Sequence, residues 1–241
     1  MSISTSISRL AFYYRRNGFR ATVRRFTLAV SRVLFYNRMV VYYCDLSELR
    51  SLPADLPSSV TVERKQSETE LDPRDLENIV NFSNPEQARR NIKERFEQGA
   101  SLWLIKSEGG LAGFRWSLGG RTLKRYFFPL GQDDVHVFDG FVFPQYRGRG
   151  LSPLLFIHIL HSLAAESGSR GRAFGEVAEW NQAQLSSLRK TPFRRMGWAR
   201  KFTIFRRTIV CWDENETAKQ KDQLKALSMA AVGGKRSDSS R

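Results

Sequence analysis

Cysteine is almost missing from this chain. Cys44 and Cys211 are its only two, they lie far apart, and neither belongs to a C-x-x-C pair. That excludes a disulfide scaffold and a cysteine-based zinc site, and makes a reducing, cytoplasmic setting the expectation. Apolar runs are short as well. No window of ~20 apolar residues occurs, so an ordinary transmembrane helix is not expected. The hydrolase signature G-x-S-x-G and the metalloprotease signature H-E-x-x-H are both missing. Two long segments hold no acid at all.

Those acid-free segments account for the charge. The 241 residues carry 39 Lys+Arg against 24 Asp+Glu, a formal charge of +15. Residues 1–44 hold eight arginines, among them Arg20, Arg24, Arg25 and Arg32, and residues 180–212 hold eight further basic groups. The stretch 45–179 is slightly acidic, with 17 basic and 19 acidic residues. Two separate anion-facing regions fit this better than one basic platform. The 41% apolar content is enough to bury a core.

Hydrophobic spacing predicts basic amphipathic helix over 1–44, where Phe19, Val23, Phe26, Val30, Val33 and Leu34 recur between arginines. A proline-containing linker, 51–59, follows. A strand is predicted at 60–64, and helices at 73–80 and 85–98, the second capped by Asn84 with Pro85 in its first turn. Strands 101–106 and 111–118 read as a hairpin, with a third strand at 123–128 and a long one at 135–143. Next come a helix at 152–166, a strand at 172–179, a helix at 181–190 ended by Pro192, and one or two strands in 201–211. The tail from Asp213 is polar. The order implies a mixed α/β architecture, an antiparallel meander followed by a β-α-β-α-β half with one parallel crossover.

The informative segment runs from Val142 through Phe143-Pro144-Gln145-Tyr146-Arg147-Gly148-Arg149 to Gly150. A strand stops at proline, turns through two glycines and enters a helix. The glycines allow close approach of a ligand to the backbone. The first helical amides, at Leu151 and Ser152, have no intrahelical acceptor and suit an anion, a phosphate above all. Arg147 and Arg149 add positive charge there.

Here the sequence resembles the GCN5-related N-acetyltransferase (GNAT) superfamily. Residues 145–150 fit that family's acyl-CoA signature R/Q-x-x-G-x-G/A, led by Val142–Pro144. Val177-Ala178-Glu179-Trp180-Asn181 resembles a following strand that ends in Asn before a helix. Phe193-Arg194-Arg195-Met196-Gly197-Trp198 resembles the closing Y-x-x-x-G-F motif. The three motifs cover roughly residues 100–207. The resemblance implies a mixed, mostly antiparallel twisted sheet with a central, splayed parallel strand pair and helices on both faces. It implies acetyl-CoA as co-substrate, no metal, and direct transfer of the acyl group to a primary amine such as an amino sugar or other small amine. The pantetheine would pair with main-chain groups of Phe141, Val142 and Phe143. The pyrophosphate would sit on Arg147, Gly148, Arg149, Gly150, Leu151 and Ser152, and Asn181 would touch the pantetheine or hold the splay. Backbone amides near Val142 would polarise the thioester carbonyl.

Two features depart from the family pattern. Phe193 stands where the family's usual general-acid Tyr would be, and phenylalanine cannot donate a proton. The spacing from Asn181 to Phe193 is longer than usual, with Pro192 inserted. Candidates for the general base are His136, Glu176 and Glu179, with Asp139 a fourth; a histidine placed like His136 is more often a satisfied strand-end residue than a base. His158 and His161, three apart on a helix, lack a third metal ligand. Arg189, Lys190, Arg194 and Arg195 face either the CoA 3′-phosphate or water.

The expected domains are a basic helical extension at 1–44, a GNAT-type acyltransferase domain at 45–212, and a polar tail at 213–241. The extension suits an anionic membrane surface, suits nucleic acid less well, or simply packs on the domain. Two rival readings stay open: a GNAT-fold module that binds acyl-CoA with little turnover, and a basic membrane- or nucleic-acid-binding protein. The acceptor amine, the acyl chain and the oligomeric state are not legible.

Overall fold

A computed structural model describes residues 14–15, 18–23, 26–27, 38–49, 56–122, 126–168, 170–204 and 207–214. Its strands are β1 (Arg38–Asp45), β2 (Val60–Lys65), β3 (Ser101–Ser107), β4 (Gly110–Gly119), β5 (Val135–Val142), β6 (Arg172–Ala178), β7 (Arg194–Ile204) and β8 (Arg207–Glu214). Its longer helices are α1 (Pro73–Asn81), α2 (Pro85–Glu97), α3 (Leu151–Glu166) and α4 (Gln182–Leu188). Among the described residues the strands form one sheet in the order β2-β3-β4-β5-β6-β1-β7-β8. Every neighbouring pair is antiparallel except β5 with β6, which is parallel.

Helices cover both faces. On one face Leu155, Phe156, Ile159 and Leu160 of α3 and Leu188 of α4 pack on Trp103, Ile105, Val137, Ala173 and Val177. On the other, Ile79 and Val80 of α1 and Ala88 and Ile92 of α2 meet Leu102, Leu104, Trp116 and Leu118. Alternation along β3 explains the division, since successive side chains point to opposite faces. The helix starts follow local chemistry. Asp72 accepts the Arg74 N–H at 2.8 Å and Asn84 accepts the Gln87 N–H at 3.3 Å, each just before a proline that needs no partner for its nitrogen.

The structure differs from the sequence reading at several elements. Arg38–Asp45 is strand, not the end of the basic helix. Met39 to Tyr43 are mostly branched or aromatic residues suited to a pleated surface. The strand lies inside the sheet between β6 and β7, with Val40 and Val41 buried. Residues 14–15, 18–23 and 26–27 of the expected extension are helical, with Phe19, Val23 and Phe26 exposed; the other residues before Arg38 lie outside the described residues. Tyr126–Phe128 is not strand, because β4 pairs directly with β5 and the connection leaves the sheet. Residues 123–125 of that expected strand are outside the described set, as are 50–55 of the linker and 215–241 of the tail. β7 begins at Arg194, seven residues before the expected start, because its first part pairs with β1 from Tyr43↔Arg194 to Arg38↔Arg200.

Both cysteines are free, and burial pushes the Cys44 thiol up to about 12, so it packs as a neutral residue. Among the described residues no helix is long and apolar enough to cross a membrane.

Ile159 is fully buried where α3 crosses the sheet. Ile159→Ala is expected to lower the unfolding free energy by about 2–5 kcal/mol, measured by denaturant titration.

Candidate functional site

The parallel strands part almost as soon as they meet. β5 and β6 pair only at Val135↔Ala173 and His136↔Phe174. From there β6 stays with β1 as far as Met39↔Ala178, while β5 stays with β4 as far as Gly113↔Val142. A bulge helps to separate them. Phe141 faces Phe114 but Phe138 faces Trp116, so β5 holds one extra residue around Asp139 and Gly140. Asp139 takes φ of 44°, and a bulge of this kind bends its strand. Main-chain groups on the facing edges of the two strands are therefore left without sheet partners.

Two cavities fill the gap. The larger, 520 Å³, is walled by Phe141 and Val142, by the turn from Tyr146 to Pro153, and by Asn181, Gln184, Ser187 and Lys190 around α4. The smaller, 160 Å³, lies deeper, between Val137–Gly140 of β5 and Gly175–Ala178 of β6. Arg115, Gly140, Asn181 and Gln184 line both, so the two are adjoining parts of one cleft.

The glycine turn stands at the outer end. Pro144–Tyr146 forms a short 3-10 turn, and Gly148 and Gly150 take φ of 81° and 73°. Gly150 caps α3 and has no side chain with which to satisfy the first amides. Leu151 and Ser152 keep free N–H groups at the helix start, and Pro153 has none to offer. A Cβ on either Gly148 or Gly150 would meet nothing within 4 Å, so the turn is not filled by side chains. Ser187 Oγ donates to Ser152 Oγ at 2.9 Å, tying α4 to the start of α3. Arg147 Nε donates to Val142 O at 3.1 Å.

Of the residues expected to hold the coenzyme, Phe141, Val142, Arg147, Gly148, Gly150, Leu151, Ser152 and Asn181 line the larger cavity. Phe143 does not; its side chain is buried in the α1–α2 layer. Arg149 is exposed, its guanidinium over the Tyr146 ring at 5.5 Å. Asn181 Oδ1 accepts the Gln184 N–H at 3.2 Å, which starts α4.

A second constellation closes the inner end. His136 Nε2 lies 2.6 Å from Glu176 Oε2, across the last paired rung of β5 and β6. Tyr126 Oη donates to the same oxygen at 3.2 Å. Burial and the neighbouring Glu176 charge push the Tyr126 phenol far up, so it remains a donor. His136 stacks on Phe138 at 4.8 Å, and its buried Nδ1 has no partner. Glu176 lines the inner cavity.

Glu179 lies elsewhere. It pairs with Arg38 at 3.7 Å, is half-buried and lines neither cavity. The Asp139 carboxylate turns to Arg95 on α2. Phe193 is buried edge-on against Phe156, at 5.4 Å, as part of the core. Of the four basic residues considered for the 3′-phosphate, Lys190 lines the larger cavity, Arg194 pairs with Glu48 at 3.0 Å, and Arg195 stacks on Trp198 at 3.6 Å. Burial pulls His158 and His161 down, and no group of three His, Cys, Asp or Glu able to hold a metal occurs among the described residues.

Two residues here went unread in the sequence. Tyr126 falls in the strand expected at 123–128 and carries no site signal of its own. Arg115 had one available signal, a charge in the middle of the apolar run Leu111–Leu118.

No family model matches the sequence, and no curated protein does. Solved structures of similar fold include a tandem GNAT protein from the clavulanic acid biosynthesis pathway, at 13% identity and TM-score 0.49, aligned over 67% of this chain and 51% of that one. An acetyltransferase of the GNAT family from Colwellia psychrerythraea aligns at 12% identity and TM-score 0.47, over 74% and 56%. A GCN5-related N-acetyltransferase from Kribbella flavida aligns at 15% and TM-score 0.41, over 66% and 54%. The chain thus spans about half the length of these proteins.

Gly150→Ala forces an L-residue into the left-handed region at φ 73°. Denaturant titration is expected to show a loss of about 1–2 kcal/mol with the far-UV spectrum unchanged.

Proposed function

We propose that this chain is an acyl-CoA-dependent N-acyltransferase of the GNAT type, moving an acyl group, acetyl in the simplest case, directly from the thioester to a primary amine. One observation carries the reading: the glycine turn and the strand splay open into one cleft through shared lining residues. A diphosphate needs donors at one end of the site, and a pantetheine arm needs unpaired strand edges at the other. This cleft supplies both.

The diphosphate rests on the Leu151 and Ser152 amides, with Arg147, Gly148, Arg149 and Gly150 around it. The pantetheine follows the open edge of β5 past Phe141 and Val142, and stops short of Phe143, whose N–H and carbonyl are taken by Ala112 and Tyr146. Arg147 Nε gives up the Val142 carbonyl to it. Asn181 spends its oxygen on α4 and keeps its side-chain N–H groups for a pantetheine carbonyl.

The neutral amine nitrogen attacks the thioester carbon. The C–N bond forms, the C–S bond breaks, and the excess proton on nitrogen passes to Glu176, which His136 and Tyr126 hold in place. The departing thiolate takes a proton from water. A free thiol has a pKa of ~8.5, so a departing thiolate needs little help from an acid, and a phenylalanine at 193 is tolerable. The Arg38 ion pair keeps Glu179 out of the proton path.

Thiol release from acetyl-CoA across a panel of amines tests the reading. The expected result is saturable acetyl-CoA binding, lost in Gly148→Asp, and release accelerated by one class of amine. Glu176→Gln should lower kcat/KM by about 100-fold and leave acetyl-CoA affinity unchanged. Binding with no amine-dependent release would make the chain an acyl-CoA-binding module. Salt-sensitive DNA binding indifferent to acetyl-CoA would overturn both readings.

A further inference from the structure

Arg115 is a buried charge of the cleft whose chemistry the proposed transfer does not use. It is 4% exposed and lies on β4, the neighbour of β5. Its guanidinium reaches beneath β5, where a Cβ on residue 140 would stand 2.1 Å from Arg115 Cζ, so only glycine leaves it room. Its other side rests on the Phe156 ring of α3, at 3.5 Å from the centroid. Its Nε is buried without a hydrogen-bond partner, and among the described residues no carboxylate forms an ion pair with it. Burial pulls its pKa down to about 9, against the weaker opposing pull of Asp139. It therefore keeps its charge at neutral pH.

A buried cation without an ion-pair partner is unfavourable in the empty protein. Leucine or methionine would fill the same space between Gly140 and Phe156 at less cost. Nor does the site need a cation for an uncharged acetyl group. The nearest acids are engaged elsewhere, Asp139 with Arg95, and Glu176 with His136 and Tyr126. The fork of a guanidinium matches a carboxylate through two parallel hydrogen bonds, and such pairs gain most where water is excluded. Arg115 faces both cavities, where the acyl carbon and the attacking amine would meet.

We propose that Arg115 recognises a substrate carboxylate, so that the inner cavity takes a carboxylate-bearing partner in the transfer. This rests on the acyltransferase reading and narrows its substrate class. The carboxylate has two sources, the far end of a dicarboxylic acyl chain or the acceptor amine's own acid group.

Separate arms distinguish the two sources. In the donor arm, succinyl-CoA, butyryl-CoA and free CoA are titrated calorimetrically and used as acyl donors. In the acceptor arm, amino acids are compared with their amides, using acetyl-CoA. In one arm the intact protein should favour the carboxylate partner by about 10- to 100-fold, the range of hydrogen bonds to charged groups. Arg115→Gln and Arg115→Met should bring that ratio near one while CoA binds as before, and Arg115→Lys should restore part of it. The comparison in the intact protein does not depend on any variant folding. Equal use of charged and neutral partners in both arms overturns the inference while CoA binding leaves the acyltransferase reading standing. An equal loss of affinity for CoA itself in the Arg115 variants overturns it too, since that would make Arg115 a coenzyme contact. If none of the thioesters binds, both readings fall.

Discussion

Everything at this site depends on two strands failing to stay paired. β5 and β6 share two rungs and then diverge, although both continue as strand. Each is held by its outer neighbour: β6 by β1 over seven residue pairs, β5 by β4 through a bulge. A parallel pair is slightly weaker per residue than an antiparallel one, so the contest is decided by the flanking strands. The gap is thus a product of the whole sheet. It leaves main-chain donors and acceptors facing a cavity, a condition a folded protein tolerates only where something polar will occupy it.

The polar side chains divide by position along the gap. At the outer end lie the helix amides and exposed arginines, donors that stay in contact with water. At the inner end lie His136, Glu176, Tyr126 and Arg115, all at least partly buried, where electrostatic effects are strongest. Glu176 is held by two donors on neighbouring segments, so its position is defined before any ligand arrives. Arg115 is held by shape instead, between the missing Cβ of Gly140 and the flat face of Phe156. One group is stabilised by hydrogen bonds and the other is left wanting a partner. That contrast is the physical basis for giving them different roles.

Phe193 fits the same pattern. Its position in the closing motif invites a search for a proton donor, yet the ring lies in the core against Phe156, the residue that also supports Arg115. A hydroxyl at 193 would place a polar group in an apolar layer, and burying it without a partner costs stability. The titratable groups of the cleft therefore gather on β5 and β6, and residue 193 serves the core.

Much of this was readable from residue order. The glycine turn, the proline-led helices and the hairpin rest on local rules of backbone conformation, and those act over a few residues whatever surrounds them. Local rules also misled. Arginine-rich periodicity hid the strand at Arg38–Asp45, because its membership of the sheet is decided by β6 and β7, far along the chain. Pairing between separate strands also put His136 against Glu176 and Arg115 beneath Gly140. Sequence alone determined the glycine turn, the proline-led helices and the hairpin, since these follow from φ preferences, caps and spacing. Tertiary structure alone decided which charges share the cleft and which remain unpaired, since register and burial are properties of the assembled sheet.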